Sequence, residues 1–143
     1  MSPPDERVRG QSGGQFLLNV DLEIESSDDL DALIQAFEPV AYSLERPPGR
    51  ACFEVKSQVA PQDAEPIILE FVRRVNSLPP QARDAWDRAS RRVFDIGLQS
   101  ARRPFQETYR LAPQTLQAVA AIGAELAITI YALDPVEDAR DAG

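Results

Sequence analysis

The 143-residue chain contains no histidine. That removes the usual general base, the commonest metal ligand and the one side chain that ordinarily titrates near neutral pH. A single cysteine, Cys52, excludes an internal disulfide, a multi-cysteine zinc knuckle and a paired-thiol redox motif. It falls in an alternating, strand-like run, where a lone thiol packs as a small hydrophobe. Glycine-rich phosphate loops are missing too. Gly13-Gly14 precedes the first predicted strand instead of following it, and no Gly-Lys-Ser/Thr motif exists. The longest apolar run, Leu116 to Leu133, is broken by Gly123, Glu125 and Thr129. It falls short of the roughly 20 apolar residues that a bilayer demands. The start, Met1-Ser2-Pro3-Pro4-Asp5-Glu6, lacks the basic-then-apolar order of a secretory leader. These absences lead to the expectation of a cytoplasmic protein without a membrane partner. Lys56 is the single lysine among 15 basic residues, an arginine bias that fits a GC-rich bacterial genome.

What is present suffices for one core: 43% of the residues are hydrophobic, and the length fits one domain. Acidic residues outnumber basic ones 23 to 15, giving 15 − 23 = −8. Such an excess repels nucleic-acid backbones and steers basic partners inward, and it also keeps a small protein soluble.

Residues 1–14 are rich in Pro, Gly, Ser and charge and read as a flexible lead-in, residues 15–133 as one domain, and residues 134–143 as a flexible tail. Phe16, Leu18, Val20, Leu22 and Ile24 alternate with Leu17, Asn19, Asp21, Glu23 and Glu25, a period of two that predicts a strand with one acidic face. Ser27 offers an N-cap for a short helix over 28–38, with Leu30, Leu33, Ile34 and Phe37 at helical spacing and Pro39 as its stop. Val40, Tyr42 and Leu44, then Phe53, Val55, Ser57 and Val59, predict a hairpin across Arg46-Pro47-Pro48-Gly49-Arg50. A helix with Pro66 in its first turn carries Ile67, Ile68, Phe71, Val72 and Val75. A second helix, about 81–90, follows Pro79-Pro80. Phe94, Ile96 and Leu98 mark a fourth strand, Pro113 to Gly123 a last helix, and Leu126, Ile128 and Ile130 a fifth strand.

The expected class is therefore α+β: a ferredoxin-like βαββαβ core with an added C-terminal α-β, and helices on one face of a mainly antiparallel sheet. The fifth strand is expected beside the fourth and parallel to it. The sheet's other face then gathers Asn19, Asp21, Glu23, Glu25, Glu54, Lys56, Gln58 and Asp95, joined by Thr129 and Tyr131.

On that face Asp21, Glu23, Glu25, Glu54 and Asp95 are the candidate contacts for an Arg- or Lys-rich protein partner. The competing reading is a polar sheet face that is merely solvated. No Asp-rich loop of EF-hand type supports a metal, and no cofactor is expected. No cleft aromatics accompany a carboxylate pair, so glycosidase-type chemistry and enzymatic activity in general are not expected. Clusters at Arg73-Arg74, Arg88, Arg91-Arg92 and Arg102-Arg103 alternate with Asp84, Asp87 and Asp95, which can neutralise them. A small-ligand pocket near Trp86, Arg102 and Arg103 is the alternative site, and exposure of Trp86 would instead mark a protein-binding hot spot. The outer strands also leave room for a homodimer through an edge.

At Phe94-Asp95-Ile96-Gly97-Leu98 the chain resembles the bacterial domain-of-unknown-function family 4279. The likeness continues through Tyr109-Arg110-Leu111-Ala112-Pro113, Leu116, Ala124-Glu125-Leu126-Ala127-Ile128 and Tyr131, with an echo in Asp28-Asp29-Leu30-Asp31 and Glu38-Pro39. It spans residues 16–133 and is firmest in the last forty of them. Many members carry a tryptophan around the second strand, whereas the only tryptophan here is Trp86 and the stretch 40–59 diverges. The resemblance implies a compact α+β domain and no catalytic residues. By analogy with small acidic bacterial proteins of this kind, the expectation is an immunity or inhibitor protein that occludes a basic toxin domain.

Overall fold

The structure is a computed structural model that describes residues 17–44, 48–56, 63–100 and 108–132. Strand β1 (Leu17–Glu25) organises it. Val20, Leu22 and Ile24 are buried on one face, as their alternation with acidic residues requires. The alternation breaks at the strand's start, where a bulge against β4 (Arg91–Gln99) shifts the register between Leu17 and Asn19. Leu17 is consequently buried and Leu18 exposed, the reverse of the expected phase, because one extra residue in a ladder swaps every side chain beyond it to the other face.

Helix α1 (Asp31–Phe37) begins later than expected. The Asp31 N–H donates to Asp29 Oδ1 (2.9 Å) and the Asp28 N–H to Ser26 Oγ (3.0 Å). These side-chain turns hold residues 26–30 out of the helix, and Ser27 caps nothing. Strands β2 (Ala41–Leu44) and β3 (Arg50–Val55) form the hairpin, with Gly49 at φ +85° in the turn. The expected residues Ser57, Gln58 and Val59 lie outside the described residues, as do the lead-in 1–14 and the tail 134–143. Helix α2 (Ala64–Asn76) is capped by Asp63, whose side chain accepts from the Glu65 N–H. It buries Ile68, Phe71, Val72 and Val75, the i, i+3, i+4, i+7 stripe. Proline opens both α3 (Pro80–Arg88) and α4 (Pro113–Ala121), where its missing N–H costs nothing. Helix α4 ends in a Schellman motif: Gly123, at φ +74°, donates to Ala120 O, and Ala124 donates to Val119 O. That turn launches β5 (Glu125–Tyr131).

The five strands lie in the order β2-β3-β1-β4-β5. Pairings β2–β3, β3–β1 and β1–β4 are antiparallel, and β4–β5 is parallel. The sheet is thus mixed, where a mainly antiparallel one was expected. The crossover through α4 returns the chain to the edge in the same direction, the long connection that a parallel pair requires. The helices and the inward strand residues form one core around Trp86, Phe37, Phe53, Phe71 and Phe94, each at most 1% exposed. Phe37 sits at its hub, with ring centroids 4.8 Å from Phe53, 5.9 Å from Phe71 and 6.3 Å from Trp86 in tilted or edge-on geometries. Among the described residues no helix is long and apolar enough to cross a membrane.

Candidate functional site

The other face of β1 carries Asp21, Glu23 and Glu25, and the ladder registers fix what stands beside each. Asp21 pairs with Glu54 of β3 on one side and with Asp95 of β4 on the other. Glu23 stands between Cys52 and Val93, and Glu25 between Arg50 and Arg91. All five candidate acids therefore share one face, and three of them form a single cross-strand row, Glu54–Asp21–Asp95. Like charges placed directly opposite one another destabilise a sheet, so such a row is not neutral decoration. Asp95 is steadied by Thr129 of β5, whose Oγ1 donates to its Oδ1 at 2.7 Å. Tyr42, opposite Glu54, lies beneath the Lys56 ammonium, 5.2 Å from the ring centroid.

Glu25 stands between two arginines. Arg50 Nη2 is 4.0 Å from its carboxylate, and Arg91 flanks it across the ladder. Arg91 also forks onto Glu125, with Nε and Nη2 at 3.0 and 3.3 Å from the two carboxylate oxygens. Its hydrogen bond to Glu125, reinforced by the charges of Glu125, Glu25 and Glu23, holds the guanidinium pKa above its ordinary value. Asp21, Glu23, Glu54 and Asp95 make up the rest of the acidic face. Glu23 is exposed, and the other three are half-buried. Cys52 and Val93 are buried on this same face, so it is less open than a bare polar sheet surface.

Asp21, Glu23 and Cys52 bring one ligand atom each to within 4.8 Å of one another. Two hard oxygens and a soft sulfur form a donor set that zinc accepts with a fourth ligand. Acidic groups converge on many sheet faces, and convergence alone does not make a metal centre. No spacing in the sequence signals this cluster, because it joins i, i+2 residues of one strand to a residue of another.

Of the alternative site, Trp86 alone lies among the described residues. Its side chain is fully buried, and Nε1 donates to the Ile122 carbonyl at 2.8 Å, pinning α3 to the end of α4. It thus presents no surface to a ligand or a protein partner, while Arg102 and Arg103 lie outside the described residues. Among the described residues, Arg88 and Arg91 pair with other acids than the expected Asp84, Asp87 and Asp95. Arg88 meets Asp28 at 3.6 Å and Arg91 meets Glu125 at 3.0 Å, while Asp87 meets Arg83, outside those clusters, at 3.2 Å. Arg92 is a fastener: Nη1 donates to Trp86 O (2.8 Å) and Ala89 O (3.0 Å), and Nε to Gly123 O (2.9 Å). One side chain thereby satisfies carbonyls at the C-terminal ends of both α3 and α4.

A second acidic feature lies in the helical layer. A groove of about 470 Å³ between α1 and α3 is lined by Asp28, Asp29, Asp31 and Asp84, with Gln35, Gln81 and Arg88. The sequence reading assigns Asp28 and Asp29 to the helix start and Asp84 to a neutralised surface. The packing of α1 on α3 is what brings them to one place. Comparison with family models, curated proteins and solved structures returns no match for this chain.

Proposed function

We propose that the protein is a non-catalytic, cytoplasmic binding protein of bacterial type that occludes a basic protein partner, such as a toxin domain, with its carboxylate sheet face. The observation that carries this reading is the Glu54–Asp21–Asp95 row with Glu23 beside it. Holding three carboxylates abreast across adjacent strands opposes folding, and a cationic partner relieves that repulsion. The net charge of −8 adds long-range attraction for the same class of partner. The order β2-β3-β1-β4, with helical connections after β1 and β3, supports a ferredoxin-like core, to which α4 and β5 add an edge. Such a core frees one sheet face for recognition.

The test is an affinity capture from bacterial lysate, with the wild-type chain and the Asp21→Lys/Glu23→Lys variant compared at low and high salt. One basic protein retained by the wild type, lost at high salt and lost from the variant, is the expected result. Equal retention by a variant with unchanged circular dichroism removes the carboxylate face from the binding surface.

The groove between α1 and α3 favours a second reading, a small cationic ligand held by Asp28, Asp29, Asp31 and Asp84. This moves the small-ligand alternative away from Trp86, whose ring is enclosed in the core.

A further inference from the structure

Three of the large apolar side chains left exposed belong to one strand: Ile128 (55%), Ile130 (67%) and Tyr131 (48%), all on β5. Strand β5 is also the outermost strand of the sheet at that side among the described residues. Proteins usually blunt such an edge by making it short, charged, bulged or proline-bearing. The opposite edge obeys: β2 has four residues and runs toward Pro47-Pro48. Strand β5 has seven residues, Glu-Leu-Ala-Ile-Thr-Ile-Tyr, with neither proline nor glycine. Its one charge, Glu125, is already held by Arg91.

We propose that two copies of the chain join edge to edge through β5, antiparallel about a two-fold axis at Ile128, to make one continuous sheet. Leu126 and Ile130 flank Ile128 symmetrically, so an antiparallel second copy sets apolar side chains against apolar ones on that face. About Ile128, Leu126 stands opposite the second copy's Ile130, Ala127 opposite its Thr129, Glu125 opposite its Tyr131, and Ile128 opposite itself. This register alone uses all seven residues, and it keeps side chains of one face together. The backbone agrees with it. The Ser100 N–H, at the end of β4, donates to the Tyr131 carbonyl (2.8 Å), so residues 125, 127, 129 and 131 turn their backbone groups toward β4. Because successive residues alternate, the N–H and C=O groups of Leu126, Ile128 and Ile130 face the outer edge. In the two-fold register these groups meet their own kind and exchange the paired hydrogen bonds of an antiparallel ladder. Charge permits the contact as well. Two chains of −8 repel wherever carboxylates meet, but here the two Glu125 residues stand about 20 Å apart, six residues at about 3.4 Å each. That exceeds the screening length of about 8–10 Å. The pairing is independent of the carboxylate face.

Sedimentation velocity on the full chain tests this, alone and with Ile128→Asp, which sets two carboxylates face to face at the axis. The expected result is a concentration-dependent shift to twice the monomer mass in the wild type, abolished in Ile128→Asp while circular dichroism is unchanged. The register is read with single cysteines under mild oxidation. Ile128→Cys places the two Cα atoms about 5.5 Å apart, within disulfide range, whereas Ile130→Cys leaves them more than about 13 Å apart. Buried Cys52 stays out of the reaction. A covalent dimer from Ile128→Cys and none from Ile130→Cys is predicted. A monomeric wild type at every concentration, a dimer indifferent to Ile128→Asp, or equal crosslinking of the two cysteine variants overturns the proposal. The Asp21→Lys/Glu23→Lys variant should dimerise as the wild type does.

Discussion

Strand β1 has two faces only one pleat apart, and they do opposite things. Val20, Leu22 and Ile24 are at most 2% exposed and press into an aromatic core, while Asp21, Glu23 and Glu25 line the reverse side, Asp21 and Glu25 opposite other charged residues and Glu23 between Cys52 and Val93. Hydrophobic burial on the first face supplies the stability that the repulsive row on the second face opposes. On the proposed function, stability and recognition separate by residue parity along one strand, and substitutions on either face should report on one property and not the other.

The largest effect belongs to the core side. Phe37→Ala removes the ring that touches Phe53, Phe71 and Trp86, and should cost about 3–5 kcal/mol in urea unfolding. A loss below about 1 kcal/mol would mean that the aromatic hub is not where the stability resides. The adjacent arginines of β4 sharpen the comparison, since Arg92 points to the helical side and Arg91 to the carboxylate side. Arg92→Ala strips carbonyl caps from α3 and α4 and should cost about 1–2 kcal/mol. Arg91→Ala, an exposed pair, should leave the unfolding midpoint nearly unchanged. Equal midpoints for the two variants would contradict the division of labour. A modest effect is expected at Tyr109, whose hydroxyl oxygen accepts from the Ala64 N–H at 3.0 Å. Burial holds this phenol pKa above its ordinary value of about 10, against the lowering effect of that hydrogen bond. A raised folded pKa means full stability below about pH 10 and loss as pH climbs through the folded value. Tyr109→Phe should cost about 1 kcal/mol at neutral pH and make the alkaline decline shallower. An identical decline in both proteins would exclude Tyr109 as a contributor.

Much of this division was legible in the sequence, because it rests on period. The alternation from Val20 to Glu25 placed three acids on one face, and the strand-parity reading of Glu54 and Asp95 put them on that face too. What period cannot supply is register. That Asp21 faces Glu54 and Asp95, while Glu25 falls between Arg50 and Arg91, depends on turn lengths and on the bulge at Leu17–Asn19. The groove of Asp28, Asp29, Asp31 and Asp84 was invisible for a related reason: it exists only once α1 lies on α3. Trp86 and Arg92 misled in the same way. The sequence set Trp86 beside a candidate ligand pocket and Arg92 in a locally neutralised cluster, whereas tertiary packing makes one a core anchor and the other a helix fastener.

The most direct test of the account is binding by the Asp21→Lys/Glu23→Lys variant across a salt series, with fold monitored by circular dichroism. The account predicts a folded variant that no longer retains the basic partner at any salt concentration, beside a wild type whose retention falls steadily as salt rises. A folded variant that retains the partner as well as the wild type does would contradict it.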